Sequence, residues 1–174
     1  TGQWRREKMF IPEQSRLFFN ILVAITGQAE GWPALAQALE IAGRERGKVW
    51  GFHLVASEDD ISKPESNALR AEFDQRCRAS NIPGSLTIEV GHAVNKISER
   101  ATLADLVVAP LLNPPGSRLV GRLSSEFRTL VQRCARPVLA VPDKPSFFRR
   151  ALLAYDGSSK AKEALYVATY VSGQ

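Results

Sequence analysis

The residues best suited to hold a phosphorylated ligand lie in one loop, between residues 110 and 125. They are glycines and hydroxyl residues: Gly116, Ser117, Gly121, Ser124 and Ser125. A phosphate site needs backbone N–H groups that approach the anion closely, which favours glycine and a helix N-terminus. The alternative is that the serines only cap a helix and the glycines only form turns. The pair Pro114-Pro115 favours this alternative, because proline has no N–H to donate.

A second candidate feature is a repeated segment that ends its apolar run at a polar residue and a glycine. Residues 20–35, NILVAITGQAEGWPAL, align without a gap to residues 150–165, RALLAYDGSSKAKEAL. Each copy predicts a buried parallel strand, a turn and a helix. The first copy has Thr26 before its glycine, whereas the second has Asp156. The two copies therefore differ where a polar side chain would meet a ligand.

The chain has the composition of an ordinary globular protein, with 44% hydrophobic and 24% charged residues. Its net charge of +5 is scattered along 174 residues, whereas a nucleic-acid surface concentrates its basic residues, so no nucleic-acid partner is predicted. No apolar run approaches the roughly 20 residues of a membrane span. Cys77 and Cys134 lack metal-ligand spacing, and two lone thiols favour a reducing compartment. We therefore predict a cytoplasmic protein with no metal site.

Apolar runs alternate with helical patterns along the chain. Strands are predicted at Ile21–Ile25, Lys48–Ala56, Leu86–Val90, Leu106–Ala109 and Pro137–Val141. Helices are predicted at Trp32–Arg46, Pro64–Ser80, from Gly91, and at Ser124–Cys134. This alternation predicts an α/β fold: an open, doubly wound, five-stranded parallel sheet in the order 3-2-1-4-5, with helices on both faces. Ligands of such sheets bind where the winding reverses, here between the ends of the first and fourth strands.

The predicted organisation has four parts. Residues 1–18 form an arm or linker, 19–142 the main domain, 143–149 a linker, and 150–174 the first strand and helix of a truncated second repeat. A chain that begins at Thr1 and stops inside a repeat is expected to be a piece of a longer protein. One strand and one helix cannot bury their own faces, so this unit should dock on the main domain, pair with another copy, or fray. The predicted apolar side of its helix is Ala164, Leu165, Ala168 and Val171.

Several blocks, taken together in order and spacing, resemble the universal stress protein family. These blocks are ILVAITG at 21–27, His53–Val55, Gly91–Val108 and Arg136–Val141. The resemblance covers residues 20–142 and restarts at 150 with the second copy. It implies a five-stranded parallel fold that is frequently paired as dimers or tandem repeats. It also implies association through the fifth strand, either with a sister repeat or in a homodimer.

Many members of that family bind ATP or a related adenine nucleotide. The resemblance implies adenine between the first two strand ends, at Ala24, Thr26 and Leu54, and phosphates over residues 116–125. In binding members an Asp at the end of the first strand contacts the nucleoside, and a G-x2-G-x9-G-[ST] loop holds the phosphates. This sequence has Thr26 at the Asp position, and the loop glycines fall on Leu111, Pro114 and Ser124. Only the closing Ser125 and, in the second copy, Asp156 match.

Three functions are compatible with these observations to different degrees. The first is a regulatory stress-response module whose adenine-nucleotide site is degraded in this repeat. The second is a non-binding structural or dimerisation repeat that supports a nucleotide-binding sister repeat. The third, an adenine-nucleotide enzyme, would need an SGGxDS loop after the first strand, and TGQAEG is not one. No nucleophile elbow, P-loop or catalytic His set is present, and His53 is predicted to be a hydrogen-bonded core residue, so no enzyme is predicted.

Overall fold

A computed structural model describes residues 16–27, 31–111, 125–148 and 150–172. The strands are β1 (Asn20–Ile25), β2 (Lys48–Val55), β3 (Gly84–Val90), β4 (Leu106–Pro110) and β5 (Val138–Val141). The α-helices are α1 (Trp32–Glu45), α2 (Pro64–Ala79), α3 (Ala93–Ala101), α4 (Ser125–Arg133) and α5 (Ser159–Ser172), and a short 3-10 helix spans Glu58–Ser62. None of the helices in these ranges is long and apolar enough to cross a membrane.

The five strands form one parallel sheet in the order β3-β2-β1-β4-β5, which confirms the predicted topology. β1 is the central strand, and Ile21 pairs with Val49 of β2 on one side and with Leu106 of β4 on the other. An all-parallel sheet must be covered on both faces. The apolar character of β1 follows from this position, because its side chains are enclosed whichever face they point to.

Alternate residues of each strand supply two separate apolar cores. On one face Ile21 and Val23 pack among residues of α1 and α2, together with Val108 of β4. On the other face Leu22 and Val107 pack with Ile97 of α3 and Leu130 of α4. The helix pairs lie on opposite faces because the chain winds from β1 outward to β3, and then returns to β4 and winds outward to β5.

The second copy of the repeat differs from its prediction. No strand forms between residues 150 and 158, although α5 follows as predicted. A strand needs a neighbour to accept and donate its backbone hydrogen bonds, and this stretch pairs with no strand in the described part of the chain. The docking face of α5 was predicted in part: Ala168 and Val171 are half-buried as expected, whereas Ala164 and Leu165 are exposed and Val167 packs on the first core instead.

The docking of α5 depends on a junction of three segments around a buried carboxylate. Glu45, at the last turn of α1, is 5% exposed. Its carboxylate oxygens accept hydrogen bonds from the Tyr170 hydroxyl at 2.9 and 2.8 Å and from the backbone N–H of Phe18 at 3.4 Å. The Leu17 N–H donates to the same hydroxyl at 3.3 Å. Burial raises the pKa of Tyr170, and the neighbouring Glu45 adds to this effect. We call this set the Glu45 junction.

Candidate functional site

The candidate crevice lies where the winding of the sheet reverses, beyond the carboxyl ends of β1 and β4. Val23 pairs with Val108, and continuing this register brings Ile25 level with Pro110. The chain leaves β1 toward α1 on one face, whereas it leaves β4 toward α4 on the other. Ligands of open α/β sheets bind beyond the strand ends at such a reversal, so this is the predicted position of the crevice.

Two glycines, Gly27 and Gly31, lie at the start and the end of the connection between β1 and α1. Gly27 has a φ of +75°, which favours glycine. A Cβ on Gly31 would lie 2.9 Å from the Thr26 hydroxyl oxygen and 3.0 Å from the Thr26 backbone nitrogen. Gly31 is also the N-cap of α1, whose start carries no side-chain cap. Thr26 therefore lies against the beginning of α1, near its N–H-rich and partially positive end.

His53 fixes the end of β1 from the neighbouring strand. Its Nδ1 lies 2.8 Å from the backbone oxygen of Ile25, and because a carbonyl oxygen only accepts, Nδ1 carries the proton. The ring is half-buried beneath the turn, where a Cβ on Gly27 would come within 3.1 Å of its Cε1. The predicted hydrogen-bonded histidine is thus present, and its hydrogen bond holds the strand end on which the crevice is built.

The floor of the crevice is apolar and made of small and medium side chains. Ala24 of β1 and Leu54 of β2, both predicted contacts of an adenine ring, lie on the α3–α4 face of the sheet. Both are half-buried and pack against the second core, together with Ala93 at the start of α3 and Phe127 of α4. This floor offers van der Waals contact to a flat ring. The polar groups that the described residues place at its rim are Thr26 and the turn backbone.

The predicted phosphate loop falls outside the described residues. Gly116, Ser117, Gly121 and Ser124 all lie there, while the backbone of Ser125 begins α4 and its side chain is outside the described part. Their relation to the crevice stays a prediction. β4 ends at Pro110, and the N–H of the next residue, Leu111, donates to the backbone oxygen of Val141 at 2.7 Å.

Asp156 does not follow a strand. It is exposed, and its carboxylate accepts a hydrogen bond from the Ser158 N–H at 2.9 Å, next to Gly157 with a φ of +81°. These hydrogen bonds with Ser158 lower the pKa of Asp156. Ser158 in turn caps α5 by accepting the N–H of Ala161 at 3.1 Å. In this structure the carboxylate that matches the family motif therefore opens a helix.

The buried carboxylate of Glu45 and an ion-pair cluster were missed by the sequence reasoning. Glu89 of β3 pairs with Arg100 and, at 3.4 Å, with Lys96, and the Arg100 guanidinium lies 5.0 Å from the centre of the Phe52 ring. At the β3 side of the sheet one carboxylate is thus shared by two cations, which leaves a net charge of one positive unit in this cluster. Among the described ranges, no group of three or more His, Cys, Asp or Glu side chains is arranged to hold a metal ion.

Two glycines of the first repeat provide a matched test of the turn. Gly27→Ala should lower the free energy of unfolding by about 1 kcal/mol or more, because alanine at this positive φ is strained and meets the His53 ring. Gly43→Ala, inside α1 with only the Ile82 Cδ1 at 3.9 Å from the new Cβ, should instead stabilise by about 0.5–1 kcal/mol. Urea unfolding measures both, and equal signs would contradict the described turn.

Comparison with solved structures gives the same architecture repeatedly. A universal stress protein in complex with cAMP superposes with a TM-score of 0.58 at 22% identity, over 74% of this chain and 99% of the other. The universal stress protein from Archaeoglobus fulgidus in complex with dAMP gives 0.56 at 19% identity, over 72% and 98%. A universal stress protein family protein from Arabidopsis thaliana with AMP bound gives 0.52 at 16% identity, over 76% and 95%.

These identities are low, so the likeness establishes the fold and leaves the ligand open. No protein-family model matches the sequence, and comparison with characterised proteins by sequence gives no match. The chain therefore has the universal stress protein fold, and three solved structures with that fold contain an adenine nucleotide.

Proposed function

We propose that this chain is a regulatory stress-response module with the adenine-nucleotide fold of universal stress proteins, in which the nucleotide site of this repeat is degraded. The observation that carries the proposal is the end of β1. The resemblance places an Asp there to contact the nucleoside, whereas this chain has Thr26, which lies against the start of α1. The apolar floor at Ala24 and Leu54 remains suitable for adenine, but the charged contact at its edge is gone.

In this proposal the contacts that would hold the phosphates are lost as well. The glycines of the family's phosphate loop are replaced by Leu111, Pro114 and Ser124, which removes the close backbone approach that a phosphate needs. No side chain in the described residues is proposed as a catalytic group, because the polar rim supplies neither a nucleophile with a base nor a metal set. We therefore assign the module a regulatory role without an enzymatic step.

If the nucleotide site is degraded, adenine nucleotides should not stabilise this chain, and a measurement of Tm can test this. Heat unfolding with ATP or AMP, with and without Mg²⁺, should leave the Tm unchanged. A ligand at about 100 times its Kd would add about 2.7 kcal/mol, which for a chain of this size raises the Tm by roughly 5 °C or more. A rise with ATP that is lost in the double variant Ser124→Ala, Ser125→Ala would show that the loop still holds phosphates and would contradict the proposal.

The second candidate function is a supporting repeat, and the docking of α5 favours it. The α5 helix packs on this domain through Tyr170 and Val171, and this packing supports an interface between the two copies. In this candidate the first repeat binds no nucleotide and stabilises a sister repeat that does. A longer chain that continues past Gln174 should then show a nucleotide-dependent rise in Tm that this chain lacks.

We also propose that β5 is the association edge, with a sister repeat or a homodimer as partner. β5 is an outer strand of the sheet, and its residues Val138, Leu139 and Ala140 are only half-buried. An outer strand leaves one row of backbone N–H and C=O groups able to pair with another chain. Sedimentation velocity should show a concentration-dependent dimer that Ala140→Lys weakens, while a chain that stays monomeric at all concentrations would contradict this.

The remaining parts of the proposal rest on composition. The scattered net charge of +5 supports the absence of a nucleic-acid or membrane partner. Two free cysteines, Cys77 buried and Cys134 half-buried, support a reducing and therefore cytoplasmic environment. Burial raises the pKa of the Cys77 thiol to about 11, so this sulfur stays protonated and unreactive near neutral pH.

A further inference from the structure

A large groove opens at the opposite end of the sheet from the crevice. It lies where β4 and β5 begin, between the last turns of α1 and α4 and the inner side of α5. Its volume is about 660 Å³, within the range of about 300–1,000 Å³ that small-molecule sites occupy. Its walls are mainly apolar and include Phe18, Leu106, Val131, Leu139, Val167 and Val171. We call this space the β5 groove.

The cations around the β5 groove are paired with carboxylates, with one exception. Arg44 forms an ion pair with Glu40 at 2.5 Å, Lys160 with Glu163 at 3.1 Å, and Glu45 receives the Tyr170 hydroxyl. Arg136, which precedes β5 and lines the groove, donates only one long hydrogen bond, at 3.3 Å, to the backbone oxygen of Thr102. Within the described residues it has no carboxylate partner. Its guanidinium, with five N–H donors, is therefore the charge available to a ligand.

We propose that the β5 groove binds an amphiphile with an apolar chain and a carboxylate head, of the fatty-acid type. The chain would lie along the apolar wall beside Val131, Leu139 and Val171, where its burial supplies most of the affinity. The carboxylate would meet Arg136 at the mouth, where a planar guanidinium can donate two parallel hydrogen bonds to one carboxylate. The ligand chemistry follows from the combination of an apolar wall and one unmatched cation.

Other occupants fit the groove less well. A nucleotide carries several charges and a polar sugar, and a mainly apolar wall would leave those groups without hydrogen bonds. A second copy of the chain needs an interface of about 1,000 Å² or more, and a concave groove closed on one side by α5 offers the shape of a small-molecule site instead. A neutral amphiphile would occupy the apolar part of the groove but would leave the Arg136 guanidinium without an anionic partner.

The test is calorimetric titration of the chain with dodecanoate below its micelle concentration, compared with dodecanol as the neutral chain of equal length. Dodecanoate should bind, and dodecanol should bind more weakly, by up to about fivefold, the ratio expected from one partly exposed ion pair. Arg136→Gln should remove this difference, whereas Arg133→Gln, on the exposed side of α4 and away from the groove, should preserve it. Absence of dodecanoate binding, or equal effects of the two arginine variants, would overturn the proposal.

A second pair of variants tests the location of the chain. Ala168 lines the β5 groove and Thr169 beside it is exposed, so Ala168→Phe should abolish binding of both amphiphiles while Thr169→Phe should not. Circular dichroism and the Tm check that each variant is folded. Ala164→Phe, at an exposed position that also lines the groove, replaces Ala168→Phe if that variant is unfolded. A dimer that the groove-filling variant dissociates would assign the groove to a second copy and overturn the proposal.

Discussion

Phe73→Ala should lower the free energy of unfolding by about 3–5 kcal/mol, the largest effect that we expect from a single substitution in this chain. Phe73 of α2 is fully buried and lies in the notch that Gly51 leaves in β2. A Cβ on Gly51 would come within 2.5 Å of the Phe73 ring, so the ring touches the strand backbone directly. Alanine would leave a cavity that neither the sheet nor α2 can close. Urea unfolding measures the loss.

Gly51→Ala provides the coupled variant for this prediction. Alone it should cost about 1–3 kcal/mol, because the new methyl group overlaps the ring. In the Phe73→Ala background its cost should fall by about 0.5–3 kcal/mol, which is the coupling expected between residues in contact. Leu103→Ala, at a side chain 83% exposed, is the control and should change stability by less than about 0.5 kcal/mol. Additive costs for Gly51 and Phe73 would contradict the notch.

Tyr170→Phe should lower stability by about 1–3 kcal/mol, because it removes the hydroxyl that solvates the buried Glu45 carboxylate. The ring and its edge-to-face contact with Phe18 remain, so the change isolates the hydrogen bonds. The loss cannot exceed the free energy with which α5 docks, since the helix can detach and expose Glu45 to water. Tyr166→Phe is the matched control on the same helix, 73% exposed, and should have almost no effect.

The same tyrosine gives a pH-dependent measurement. Its pKa is raised above the ordinary 10.0 in the folded chain, so its stabilising contribution is complete below pH 10 and is lost as the pH rises through the folded pKa. Tyrosinate absorbance should show one phenol that titrates later than the others, and this phase should disappear in Tyr170→Phe. Hydrogen exchange of α5 should accelerate over the same pH range. A phase that persists in the variant would assign it to another tyrosine.

The sheet could be predicted from the sequence because each of its strands carries a local signal. β1 reads ILVAI and β4 reads LVVA, and continuous apolar runs of this length between helical patterns indicate central parallel strands. The strand order follows from that centrality together with right-handed crossovers. None of these inferences requires the position of a side chain. The strand order and the presence of a core on each face of the sheet could therefore be predicted from the sequence.

The second copy shows where a local pattern is insufficient. Residues 150–154, RALLA, have the same apolar pattern as NILVA at 20–24, yet only the first run forms a strand, because β2 and β4 flank it. The face of α5 was predicted only in part, for a related reason. Tyr170 lies on the docked side because Glu45 is buried opposite it, and nothing near either residue in sequence indicates that pairing.

The candidate site divides in the same way. The turn at Thr26 and Gly27 was located from the chain because strand ends and glycines are local features. The hydrogen bond from His53 to Ile25 and the contact of Gly31 with Thr26 depend on how neighbouring elements are juxtaposed. The β5 groove was not foreseen at all, since its walls come from four separate elements and from the docking of α5.

The unpaired stretch from 151 to 155 has a consequence for handling the protein. Leu152 is fully exposed and Tyr155 is 53% exposed, on a segment whose backbone pairs with no strand in the described residues. Uncharged apolar segments with free backbone groups are templates for cross-β association. Aggregation will therefore limit the concentration at which the chain can be stored. The amount of protein lost from solution will grow with storage time as well as with concentration. A lysine in place of Leu152 is the simplest gatekeeper for keeping such preparations in solution.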